Sequence, residues 1–340
     1  MINPPQLLNQ LLERQDLSRE QMLALMHAVM GGELPPTLIA AFLVALRCKG
    51  ETVTELAAAA EVMRALSIKV PLTGVAHLVD TCGTGGDGAH TFNISTASAF
   101  VAAAAGAKVA KHGGRSVTST SGSADVLEAL GVNVNLTPEQ VAQCVQEVGI
   151  GFMFAPNHHS AMKHAAPVRR DLGVRTLFNL LGPMTNPASA PNQVMGVYAR
   201  ELTGKLAHVL HTLGSEHVMV VHAADGMDEL TLSGISYVAE LKNGQITEYE
   251  VTPELFSLAR ADNASLMVDS AASAKNMLIS ALTNQHRAAS DIVALNAGAA
   301  IYVAGIAASL AEGVALAMQK ITSRAAYSKL EQLINYSQHV

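Results

Sequence analysis

The sequence predicts an α/β protein with two parts. One is a small N-terminal α-helical domain, residues 1–70 with a returning segment 167–184; the other is a larger α/β domain, 73–166 and 187–340, built on a mainly parallel central sheet. Three observations predict it. The first seventy residues carry helix signals only. From Val75 on, short apolar runs alternate with helical patterns, as in βαβ units. The length of 340 residues, at roughly 150 per domain, suggests about two domains.

In the first part Asn3 caps a helix that opens with Pro4-Pro5 and buries Leu7, Leu8, Leu11 and Leu12. Ser18 and Gln21 form a capping box for a second helix that stops at Gly31-Gly32. A third enters through Pro35-Pro36 and ends at Gly50, and a fourth opens with Thr52 and Glu55 and runs to about Leu66. Pro71 and Gly74 then break the pattern.

In the second part His77–Asp80 reads as a short buried strand, followed by a glycine-rich turn and a helix beginning near Asn93. Lys108–Lys111 is the next strand, Asp125–Leu130 a helix, and Thr137-Pro138 the start of another, with Ile150–Phe154 the third strand. Val168–Leu181 reads as one helix returning to the helical domain. Strands at Gln193–Tyr198 and His217–His222 flank a helix from about Glu201 to Leu213. Asn243-Gly244 between two β-rich runs marks a hairpin. Three or four Ala-rich helices follow from about Ala271, with the apolar run Ile292–Ala311 read as a buried helix rather than a membrane span.

Composition narrows the function classes. Apolar residues make up 49% and charged residues 15%, which excludes disorder as a description of the whole. A net charge of −6 with no basic run argues against a polybasic nucleic-acid or membrane-surface binder. Cys48, Cys82 and Cys144 are odd in number and widely spaced, so they form neither a disulfide framework nor a zinc set. No export signal is visible in Met1–Glu20, and a reducing, cytoplasmic setting is expected.

Four clusters carry the chemistry. In Asp80-Thr-Cys-Gly83-Thr84-Gly85-Gly86-Asp87-Gly88 a glycine turn follows a strand and leads to a helix start at Asn93-Ile94-Ser95-Thr96, an arrangement that suits phosphate. Gly83, Gly85 and Gly88 also satisfy G-x-G-x-x-G, but no acidic residue lies between Asp87 and Asp125 for a dinucleotide ribose, and no Lys-Ser/Thr completes a Walker motif. The second cluster, Lys111-His112-Gly113-Gly114-Arg115 through Ser123, brings cations and six hydroxyls to a strand end, suited to several phosphate oxygens or to a solvated loop. Third, Asp225-Gly226-Met227-Asp228-Glu229 sets carboxylates after a strand, as a common acidic turn or as Mg²⁺ ligands with Ser95 supplying a further oxygen. Fourth, His158-His159 and His164 match no zinc spacing, while Arg169 or Arg170 is placed to grip a carboxylate or to form a surface ion pair with Asp171.

Together with Pro167-Val-Arg-Arg170 and Arg175-Thr-Leu-Phe-Asn-Leu-Leu-Gly-Pro183, these motifs resemble the anthranilate phosphoribosyltransferases over essentially the whole chain. The resemblance implies a hinged two-domain homodimer of tryptophan biosynthesis, and leaves open whether a glutamine amidotransferase associates with it. It implies that 5-phosphoribosyl 1-diphosphate is held by Gly83, Gly86, Asp87, Thr91, Asn93, Ile94, Ser95, Thr96, Lys111, His112, Gly113, Gly114, Arg115, Ser116, Val117, Thr118, Ser119 and Ser123. Mg²⁺ would be held by Ser95, Asp228 and Glu229, and anthranilate by Gly83, His159 and Arg169. Lys111 would stabilise the leaving diphosphate, and His112 is the candidate to collect the amine proton. The chain departs from the family at Gly114, usually an Asn whose amide would contact anthranilate, at Thr120, frequently Lys, and at Ser160, frequently Pro. Two other readings share the fold: a pyrimidine nucleoside phosphorylase, which would not need Asp228-Glu229, and a non-catalytic nucleic-acid binder, which would want a Lys/Arg stripe absent here.

Overall fold

The computed structural model describes residues 3–115 and 121–340. Local signals set the N-terminal helices: α1 (Pro4–Leu12), α2 (Arg19–Gly31), α3 (Pro36–Lys49) and α4 (Val53–Leu66). The α2 box closes with Gln21 N–H on Ser18 Oγ at 3.2 Å and Ser18 N–H on Gln21 Oε1 at 2.8 Å, and Gly32 ends the helix at φ 74°. At α4 the Thr52–Glu55 box does more than cap. Fully buried Glu55 also accepts from Leu17 N–H at 2.9 Å and pairs with Lys49 Nζ at 2.9 Å, tying three segments together.

The α/β part continues with β1 (Leu78–Gly83), α5 (Ile94–Ala104), β2 (Lys108–Gly113), α6 (Ser123–Leu130), α7 (Pro138–Gln143), β3 (Ile150–Phe154) and the short α8 (Ala155–His158). Then come α9 (Ala166–Leu172), α10 (Leu177–Leu181), β4 (Asn192–Gly196), α11 (Leu202–Thr212), β5 (His217–Ala223), β6 (Ser236–Lys242) and β7 (Gln245–Val251). Helices α12 (Ala271–Leu282), α13 (Arg287–Val303), α14 (Leu310–Thr322) and α15 (Ala325–Ser337) complete the chain.

The sheet runs β3-β2-β1-β4-β5-β6-β7, parallel from β3 to β5 and antiparallel in β6 and β7. Strand order therefore reverses between β1 and β4, and the C-terminal ends of those strands flank the crevice where open α/β sheets bind ligands. Alternate residues of β4 to β6 enter two separate cores. Val194, Met219, Val221 and Val238 face the cluster that contains α5 and α13, while Met195, Val218, Val220, Ala239 and Leu241 join the cluster of α1–α4, α10 and α11. The helical segment thus shares one sheet face as its core. On the other face α5 buries Phe100 and Val101 completely, and emptying the Phe100 site would cost about 3–5 kcal/mol.

Four expectations need correction. His77 adopts φ 57°, which delays β1 by one residue, and pairing with β4 carries the strand on to Gly83. β2 extends two residues further, to Gly113, through pairing with β3, so His112 and Gly113 lie inside the strand instead of after it. Val168–Leu181 is not one helix: Gly173 at φ 62° stops α9, and Thr176 with Asn179 starts α10. The apolar run Ile292–Ala311 breaks at Gly305, φ 72°, and Ser309 caps α14. Among the described residues no helix is long and apolar enough to cross a membrane. Cys48, Cys82 and Cys144 are all free thiols.

Candidate active site

Gly83 and Gly196 are register partners at the C-terminal ends of β1 and β4. The β5–β6 connection drops Asp228 directly onto this pair. A Cβ on Gly83 would meet Asp228 Oδ2 at 2.2 Å, and one on Gly196 would meet the Asp228 carbonyl at 1.5 Å. Both glycines are needed for close approach, not for a turn. Gly196 carries no motif in the sequence and becomes recognisable only through this contact.

The glycine turn closes over the same point. Thr84 N–H donates to Gly196 O at 2.9 Å and Gly85 N–H to Asp228 Oδ2 at 2.7 Å, while Asp228 N–H meets Asp87 Oδ2 at 3.4 Å. Glu229 Oε1 accepts from Ser95 N–H at 3.1 Å, placing a carboxylate at the N-terminus of α5, where the helix dipole favours it. Lys111 Nζ reaches in from β2 to the Thr81 carbonyl and to Ser95 Oγ, the latter at 3.3 Å. Burial lowers the Lys111 pKa, and Asp80 beneath it opposes the shift.

Asp87, Asp228 and Glu229 crowd this floor with negative charge. Burial first, then Asp87, raises Asp228 above the usual carboxylate range; burial, then Asp228, does the same for Glu229. Among the described residues no group of three His, Cys, Asp or Glu side chains is arranged to hold a metal unaided. Two carboxylates and a serine hydroxyl that need further oxygens suit Mg²⁺, which keeps waters and shares substrate phosphates. Thr84 Oγ1, Asn93 Oδ1 and Thr96 Oγ1 are buried here without partners among the described residues, so the site has unused polar capacity.

The remaining expected donor contacts divide. Asn93 Nδ2 donates to Ser121 O at 3.0 Å and Ser123 Oγ to Gly114 O at 3.3 Å, which folds the second loop back beside α5. Gly113 again permits approach, since its Cβ would strike Ser123 Oγ at 2.2 Å. Thr91 pairs with Met267 in an isolated bridge, Asp87 Oδ1 accepts from Ala89 N–H at 3.1 Å, and the Gly86 carbonyl accepts from Arg175. Ile94 has its side chain buried in the core and its N–H donating to Phe92 O, so any contact it makes with the donor is through its backbone. Arg115 turns to Glu128 at 2.6 Å and Asp125 at 3.0 Å. Ser116, Val117, Thr118, Ser119 and Thr120 lie outside the described residues.

On the other side His112 and His159 lie 5.1 Å apart between ring centroids, each with a buried Nε2 lacking a partner among the described residues. Burial, then the neighbouring His159, pushes His112 down to about 3; burial, then His158, pushes His159 down to about 4. Both are neutral at pH 7. His112 is therefore a feeble proton acceptor, which counts against the role expected of it. Arg169 lies over the Phe178 ring at 5.4 Å and forms no ion pair among the described residues, so the alternative of a surface ion pair with Asp171 is not formed. Beneath both sides Asp80, fully buried, accepts from His112 N–H at 3.2 Å and Asn186 Nδ2 at 2.7 Å. Sequence reading passed over Asn186.

The helical-bundle domain of the glycosyl transferase family matches residues 5–67, and the a/b domain of that family matches residues 75–327. A relative from Thiobacillus denitrificans named anthranilate phosphoribosyltransferase is 60% identical over 99% of this chain and 98% of its own length. The chain belongs to the anthranilate phosphoribosyltransferases. A second relative in this family, from Chromobacterium violaceum, is also 60% identical over 99% of the chain and 98% of its own. The Thermus thermophilus enzyme superposes with a TM-score of 0.91 at 42% identity, covering 97% of this chain and 99% of that one. The Saccharomyces cerevisiae anthranilate phosphoribosyltransferase, solved in complex with PRPP and Mg, gives 0.87 at 26% identity over 98% of this chain and 97% of that one. Neither the nucleoside phosphorylase nor the nucleic-acid-binding alternative is favoured by these full-length likenesses.

Proposed function

We propose that this enzyme transfers the 5-phosphoribosyl group of 5-phosphoribosyl 1-diphosphate to the amine of anthranilate, giving N-(5-phosphoribosyl)anthranilate and diphosphate in tryptophan biosynthesis. The observation that carries the site assignment is the convergence, over the Gly83–Gly196 pair, of the glycine turn, the N-terminus of α5, Lys111 and the Asp228-Glu229 carboxylates.

Gly83, Gly86, Asp87, Asn93, Ser95 and Thr96 then line the donor, with backbone amides and the α5 N-terminus facing its phosphates. Lys111, anchored on Thr81 O and Ser95 Oγ, sets a fixed positive charge beside the diphosphate as the C1–O bond breaks. Ser95, Asp228 and Glu229 would hold Mg²⁺, which when bound neutralises negative charge on the departing diphosphate. Arg169 grips the anthranilate carboxylate, and Gly83 with His159 lines its place. The aryl amine is neutral at pH 7 with its lone pair free to attack C1, so the protein's main task is positioning. The proton shed by the new C–N bond does not need His112, whose depressed pKa of about 3 suits it poorly as a base.

The same reading divides the chain into 1–70 with 167–184 and 73–166 with 187–340, hinged so that closure excludes water. It includes a cytoplasmic homodimer and association with a glutamine amidotransferase. The decisive experiment mixes pure protein, 5-phosphoribosyl 1-diphosphate, Mg²⁺ and anthranilate and follows loss of anthranilate fluorescence. Loss that requires protein, donor and Mg²⁺ together sustains the reading; phosphorolysis of thymidine or uridine without Mg²⁺ would replace it.

A further inference from the structure

We propose that Arg175 is a positioning residue for the transfer, aiming the glycine turn at the phosphoribosyl donor; this deepens the function proposed above and rests on it. The break between α9 and α10 creates the opportunity. Gly173 in the left-handed region stops one helix, and Thr176, its N–H donating to Asn179 Oδ1, opens the next, so Arg175 sits at the corner between them. From that corner its guanidinium lies over the Tyr198 ring, 4.1 Å from the centroid, and its Nη2 donates to the Gly86 carbonyl. Tyr198 follows β4 and Gly86 follows β1, so one side chain ties the 167–184 segment to both strands at the switch point.

The contact falls where the backbone is least determined. Gly85, Gly86 and Gly88 have φ of 64°, 73° and 74°, and a Cβ on Gly85 or Gly88 would face open space. Among the described residues no other donor reaches the Gly86 carbonyl. A trans peptide points its C=O and N–H in opposite directions. Holding Gly86 O on Arg175 therefore turns the Asp87 N–H to the side of the turn away from the 167–184 segment. The cation at the carbonyl end also polarises that peptide, strengthening its N–H as a donor to an anion. Stacking on Tyr198 fixes the plane of the guanidinium, so both functions require arginine; a lysine ammonium can donate but cannot stack in the same way.

Steady-state kinetics on wild type, Arg175→Ala and Arg175→Lys, with hydrogen exchange at residues 84–88 in the presence and absence of donor plus Mg²⁺, tests the proposal. Arg175→Ala is expected to raise the donor KM about tenfold, lower kcat, and leave the anthranilate KM within about twofold. It should also lose the protection that donor confers on the turn amides. Arg175→Lys should fall between, about threefold in donor KM, and carries the test by itself if the alanine variant does not fold. Wild-type donor KM and wild-type protection in either folded variant, even with a lowered Tm, would reduce Arg175 to a structural strut and overturn the proposal. An equal rise in both KM values would overturn it too, because general loosening would explain that. A wild-type protein that consumes no anthranilate would instead remove the function on which the proposal rests.

Discussion

The two sides of the crevice are built on opposite plans. The donor side is crowded: Asp228 lies within 2.2 Å of where a Gly83 Cβ would be, three carboxylates share one floor, and the turn is held from β4, from α9–α10 and from Asp228 itself. The acceptor side is slack: among the described residues nothing lies within 4 Å of the Gly114 Cβ position, the Nε2 atoms of two neutral histidines have no partner, and Arg169 forms no ion pair. The difference follows from the two substrates. A sugar with phosphate at both ends demands charge and amides at fixed positions, whereas a flat aryl amine demands one cation and apolar room.

If that contrast is sound, substitutions on the donor side act steeply. The double change Asp228→Asn/Glu229→Gln should lower kcat by about a thousandfold and abolish Mg²⁺ dependence in the fluorescence assay. Normal Mg²⁺ activation in that variant would erase the metal role of this floor. Gly196→Ala, which touches no substrate, should cost about a hundredfold in kcat/KM, since its Cβ would displace the Asp228 backbone. An active Gly196→Ala enzyme would mean that Asp228 is not held as tightly as the packing implies.

The acceptor side should respond more gently and one substrate at a time. Arg169→Ala should raise the anthranilate KM about thirtyfold with little change in the donor KM, the loss expected for one charge-assisted contact. The histidines give a pH signature. His112 and His159 have folded pKa values of about 3 and about 4, below the ordinary value of 6.5, so the unfolded chain binds protons that the folded chain refuses. Their contribution is intact above pH about 6.5 and is lost progressively as pH falls through the folded values of about 4 and about 3. Chemical denaturation of His159→Gln should give a visibly flatter stability profile across that window. The smallest effect is a gain: Gly114→Asn fills open space with an amide and should lower the anthranilate KM about threefold. No change would move the acceptor away from Gly114.

Much of the donor side was legible because its chemistry is local. Glycines next to a strand end, a helix start at Asn93-Ile94-Ser95-Thr96 and a paired Asp228-Glu229 are readable without knowing what lies beside them. The acceptor side was read mainly through family resemblance, and its errors are instructive. His112 looked like a base because imidazole in water titrates near neutrality, yet burial beside His159 removes that property. Arg169 was given Asp171 as an alternative partner because the two are close in sequence, but it lies over the ring of Phe178 instead. Arg175 entered only as the first residue of a motif and Gly196 not at all, because nothing in their neighbours along the chain reports on Tyr198 or Asp228.

The sequence by itself determined where most helices start and stop, the strand-and-helix alternation and the β6–β7 hairpin. Caps, glycines and apolar periodicity act within a few residues, and their energies do not depend on distant partners. Tertiary structure alone decided that Gly83 and Gly196 stand side by side beneath Asp228, that β2 runs on to take in His112 and Gly113, and that Gly173 and Thr176 split one apparent helix to put Arg175 against Gly86. Each of these is a contact, a pairing register or a burial set by residues far along the chain, and such quantities exist only once the sheet has brought its strand ends together.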